Sequence, residues 1–79
     1  MLYNASIIEC EMEIFSKRLK ELRIAAGYTQ QQMADKLCIR QQSYTRYENN
    51  AGEPNLSTVV TISKIFDVSC DYLLGVSEY

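Results

Sequence analysis

The chain has 79 residues, 47% of them apolar and 23% charged, with a net charge of −2. That length makes one small domain with much exposed surface and a net stability on the order of a few kcal/mol, and the composition excludes a disordered chain. No apolar run approaches the ~20 residues that cross a bilayer, and the N-terminal MLYNASIIECEME lacks a basic region ahead of its apolar patch, so a cytoplasmic protein with no membrane partner is expected.

Cys10, Cys38 and Cys70 are odd in number and about thirty residues apart, with no histidine and no CxxC pair in the chain. They offer neither a disulfide framework nor a zinc site, so no metal or cofactor is expected and the thiols are read as buried or half-buried. The net charge conceals an uneven distribution. Residues 1–13 carry −3, residues 14–48 carry +4 and residues 49–79 carry −3. A positive middle between two acidic ends suits an anionic partner better than the total implies.

Helical periodicity dominates. Phe15, Leu19, Leu22 and Ala26 recur at helical spacing and Gly27 stops the series. Met12 and Ile8 extend it backwards, and Ser6 with Glu9 reads as a capping box. Residues 1–13 are therefore an N-terminal extension, either the start of helix 1 or a flexible arm, ahead of a domain spanning 14–76 and a tail at 77–79. Thr29 and Gln32 form a second capping box, with Tyr28 and Met33 at the positions of a hydrophobic staple. Helix 2 then buries Met33, Ala34 and Leu37. After a break at Cys38, Gln41 begins a third helix with Tyr44 and Tyr47 in the core and their hydroxyls at its rim. Asn49, Asn50, Gly52 and Pro54 make the next loop. Asn55 caps a fourth helix with Leu56, Val59, Val60, Ile62, Ile65 and Phe66 apolar, and Ser69 caps a short fifth that ends at Gly75. The expected fold is all-α, one compact five-helix bundle.

Two short helices joined by so few residues cross steeply, and one lies over the surface with a free face. Ala34 is small where the two come closest. The free face of the second carries Arg40, Gln41, Gln42, Ser43, Thr45 and Arg46. Glutamine bonds adenine N6 and N7 together, and arginine bonds guanine O6 and N7.

Residues 18–75, about three-quarters of the chain, resemble the Cro and phage-repressor type of helix-turn-helix domain, also called lambda-repressor-like. RLKELR, GYTQ, MADKL, RYEN, PNL and DYLLG carry the match by their order and separations. The resemblance implies a DNA-binding domain whose third helix, about 41–48, enters the major groove. Gln41, Gln42, Ser43, Thr45 and Arg46 then match base-reading positions. Gln30, at a helix start suited to anions, and Asn49 match phosphate contacts; Thr29, Arg40 and Arg23 are placed with them. Arg23 and Glu48 match an ion pair between helices 1 and 3. Three features depart from the family pattern: Cys38 stands where glycine is usual, Arg40 replaces the small polar cap of helix 3, and Glu53 sits in a loop that is often basic.

The function expected is a sequence-specific double-stranded DNA-binding regulator, a dimeric repressor of a prophage or mobile element acting on an inverted repeat. No small-molecule effector is evident. The alternative is an antitoxin-like or partner-dependent protein-interaction module that has lost most DNA binding, which the acidic pI and Glu53 favour. An enzyme is not expected, because the chain supplies no histidine, phosphate loop or nucleophile–base pair.

Overall fold

The computed structural model describes the backbone of residues 3–76 and 78, and side chains from residue 13 onward apart from 77 and 79. Helix α1 (Tyr3–Ala26) has 24 residues, about 36 Å at the usual rise per residue. It begins upstream of Ser6, so Ser6 lies within the helix and is not its cap, and no acidic residue falls in the first turn. The side chains of Ile8, Cys10 and Met12 lie outside the described residues. Gly27 ends α1 with φ +78°, and the amides of Gly27 and Tyr28 bond back to the carbonyls of Ile24 and Arg23 at 3.0 and 3.1 Å. Those two bonds satisfy carbonyls that a helix end otherwise leaves unpaired. Ala26, expected on the buried face, is exposed in this last turn.

Helices α2 (Gln30–Leu37) and α3 (Gln41–Glu48) follow, then α4 (Leu56–Phe66) and α5 (Cys70–Leu74); among the described residues there is no strand. Three of the starts are capped as the sequence predicts. The side chains of Thr29, Asn55 and Ser69 accept from the amides of Gln32, Thr58 and Tyr72. In α4 the buried residues are Val59 and Ile62, whereas Leu56, at the first position ahead of the packed turns, is 75% exposed. Gly75 ends α5 at φ +81°, and a Cβ there would stand 3.1 Å from Ile14. Left-handed geometry and close packing both require glycine at that point.

The core joins all five helices: Phe15 and Leu19 from α1, Met33 and Ala34 from α2, Tyr44 from α3, Val59 and Ile62 from α4, and Leu73 from α5. Burying about eight such side chains, at roughly 1.5–3 kcal/mol for each large one, is the main force holding the helices together. Ser16, also buried, donates to the carbonyl of Tyr47 at 2.6 Å and so ties α1 to the end of α3. Arg18 donates to the Tyr72 carbonyl and lies 4.1 Å over the Tyr72 ring, joining α1 to α5. These contacts fasten α1 to both α3 and α5.

Candidate nucleic-acid interface

The α2–α3 turn is built by one left-handed residue. Cys38 adopts φ 58°, ψ 41°; its amide bonds to the Asp35 carbonyl and that of Ile39 to the Ala34 carbonyl. A side chain in that conformation costs roughly 1–2 kcal/mol, and here the left-handed turn forms without glycine. Cys38, expected to be at least half-buried, is exposed, because this turn aims it outward. Arg40 precedes α3 in extended conformation and supplies no capping bond, since it has no acceptor. With Met33, Ala34 and Tyr44 fully buried between α2 and α3, α3 lies across the surface with its opposite face in solvent.

That face presents Arg40, Gln41, Gln42, Arg46 and Asn49 as exposed side chains, with Ser43 and Thr45 half-buried beside them. Arg46 Nη2 donates to the carbonyl of Ala51 at 3.0 Å, so the loop after α3 restrains it. Ser43, Arg46, Tyr47, Gly52 and Glu53 line a shallow recess of about 240 Å³ alongside. Glu53 therefore stands at the edge of this face. Thr29 is exposed, with its hydroxyl engaged in the cap of α2.

Behind the face lies a polar cluster. Arg23 Nε donates to Glu48 Oε2 at 2.6 Å and Nη2 to Oε1 at 3.2 Å, while Nη1 donates to the Tyr28 carbonyl at 3.0 Å. The Arg23 side chain is only 13% exposed and that of Glu48 1%. With all three of its nitrogens engaged, Arg23 acts within the fold as the pair that positions α3. Burial is the largest influence on Glu48 and pushes its carboxyl upward, but the hydrogen bonds from Arg23 and Gln30 and the guanidinium charge outweigh it and hold the group below its ordinary value. The carboxylate bond in turn raises the Arg23 pKa.

Two features of this cluster are not legible in residue spacing. The Tyr44 hydroxyl, expected at the rim, is buried against the ion pair without a hydrogen bond of ordinary geometry; burial pushes its pKa up. The Gln30 amide is engaged at both ends: Nε2 donates to Glu48 Oε1 at 3.2 Å, and Oε1 accepts from the Thr45 hydroxyl at 3.1 Å. The three consecutive glutamines of α2 are thus engaged in three different ways. Gln30 bridges α2 to α3, Gln31 donates to Asp35 at 2.8 Å along the outer face of α2, and Gln32 accepts from the Thr29 amide at 2.8 Å.

A capped helix, a left-handed turn and a second helix laid across the surface define the helix-turn-helix class. The profile of the family described as Helix-turn-helix matches residues 19–73, and the chain belongs to that family. Among its relatives, the uncharacterized HTH-type transcriptional regulator YqaE of Bacillus subtilis is 51% identical over 61 residues, covering 77% of this chain and 53% of the relative. The SPbeta prophage-derived uncharacterized HTH-type transcriptional regulator YonR of the same organism is 48% identical over 61 residues, covering 77% and 56%. The cryptic phage CTXphi transcriptional repressor RstR of Vibrio cholerae is 39% identical over 59 residues, covering 75% and 53%. The chain thus spans about half the length of the curated relatives it matches. Among the described residues no helix is long and apolar enough to cross a membrane.

Proposed function

We propose that this chain is a sequence-specific double-stranded DNA-binding transcriptional regulator. One observation carries the reading: Gln41 and Gln42 stand exposed at the start of a helix whose orientation is locked from behind by the Arg23–Glu48 pair. A rigidly held helix start with two free amides suits the major groove, where each amide can match the paired donor and acceptor of an adenine edge. Ser43 and Arg46 complete the base-facing set. Gln30 and Thr29 at the start of α2, with Arg40 and Asn49 flanking α3, supply phosphate contacts that fix register without reading sequence.

One recognition helix reads too few base pairs for a specific site, so the working form is a homodimer on an inverted repeat with half-sites about one helical turn apart. The prophage and phage origins of YonR and RstR favour a repressor of a prophage or other mobile element, acting in the cytoplasm by binding and not by catalysis. Selection from a random duplex pool at near-physiological salt tests this. An enriched inverted repeat supports a dimeric regulator. No binding even at low salt, where phosphate contacts are strongest, contradicts it and favours a protein-interaction module.

A further inference from the structure

The orientation of the Gln30 amide follows from the chemistry of its neighbours. Arg23 keeps Glu48 ionised, and an ionised carboxylate only accepts hydrogen bonds. The Gln30 atom 3.2 Å from Glu48 must therefore be the amide nitrogen. The amide carbonyl then turns to Thr45, and the Thr45 hydroxyl, 3.1 Å away, must donate its single hydrogen inward. One N–H of the Gln30 amide faces Glu48; the other has no partner among the described residues.

We propose that Thr45 is a positioning residue: its hydroxyl fixes the Gln30 amide so that the second N–H is presented to a DNA phosphate, and Thr45 itself does not read a base. This rests on the DNA-binding reading and on a phosphate contact by Gln30. The chain of control runs from Arg23 through Glu48 to Gln30, and Thr45 closes it from the opposite side. A doubly held amide loses little rotational freedom when it binds an anion, whereas a singly held one must be ordered on binding.

Thr45→Val keeps the shape of the side chain and removes the donor, and Thr45→Ser keeps the donor. Affinities for an enriched DNA site and its single-base variants should fall about three- to tenfold in Thr45→Val, uniformly across sequences. Thr45→Ser should restore them, and Thr45→Val should add nothing in a Gln30→Ala background. In the free protein, the side-chain amide resonances of Gln30 should shift in Thr45→Val and return in Thr45→Ser, while the backbone amides of α3 hold. A displaced helix would not give that pattern. An unchanged affinity, a loss confined to one base-pair position, or a loss that persists without Gln30 would each overturn the proposal alone. Failure of the unaltered protein to bind any DNA would overturn it together with the proposed function.

Discussion

Arg23 and Glu48 are 25 residues apart in sequence and meet in a two-point ion pair, with Nε 2.6 Å from Oε2 and Nη2 3.2 Å from Oε1. The pair joins the last turn of α1 to the last residue of α3, so the helix proposed to read DNA is anchored to the longest helix of the bundle. A bidentate arginine–carboxylate contact fixes angle as well as distance. It leaves both groups too buried to be solvated if either partner is lost.

Glu48→Gln should therefore destabilise the fold by about 3–5 kcal/mol, because the Arg23 guanidinium would stay buried with no compensating charge. Urea unfolding measures this directly. A loss under about 1 kcal/mol, the value of an exposed pair, would show that the contact does not anchor α3.

Acid should reveal the same pair. The folded-state Glu48 carboxyl titrates below its ordinary value despite its burial, so the unfolded chain takes up the proton more readily than the folded one. The stability contributed by Glu48 is then fully present above the unfolded-state value and is lost as pH falls through the folded-state value. Urea midpoints followed from about pH 7 to about pH 3 should drop less steeply in Glu48→Gln than in the unaltered protein. Parallel curves would contradict the assignment.

The left-handed turn makes a separate prediction. Cys38 sits at φ 58° and is exposed, so Cys38→Gly removes the steric cost of a Cβ without opening a cavity. Glycine also enlarges the unfolded ensemble, which leaves a net gain of about 0.5–1 kcal/mol. Cys38→Val should instead lose stability, since branching at Cβ aggravates the same clash. Equal unfolding midpoints for the two variants would mean that the turn is not strained.

Arg40 separates folding from binding. Arg40→Ser supplies the capping acceptor that α3 lacks and should stabilise the protein by about 0.5–2 kcal/mol. It also removes an exposed positive charge beside the start of α3, so DNA affinity should fall on all sequences alike and its salt dependence should weaken by about one phosphate contact. A variant that is more stable and binds DNA undiminished would remove Arg40 from the interface.

Much of the fold was legible because the signals are local. The capping residues Thr29, Asn55 and Ser69 and the stop at Gly27 each act within one turn of themselves, and their helices start or end where those signals place them. The start of α1 was not legible, because nothing before Ser6 breaks a helix and the Ser-x-x-Glu pattern of a capping box also occurs inside helices. The free face of α3 followed from residue type and spacing. The inward engagement of Thr45 and Gln30 did not. It depends on a carboxylate 18 residues from Gln30 whose ionisation is set by an arginine on a third helix. The buried Tyr44 hydroxyl and the Ser16 bond to Tyr47 escaped for the same reason, since both arise from tertiary approach between helices.

Base reading by Gln41 and Gln42 is tested by comparing the DNA sequences enriched by the unaltered protein with those enriched by Gln41→Ala/Gln42→Ala. Both side chains are exposed, so the double variant should keep its helical circular dichroism and its unfolding midpoint. It should still bind DNA through phosphate contacts but lose its preference among sequences. Enrichment of the same inverted repeat by both proteins would contradict base reading by the two glutamines.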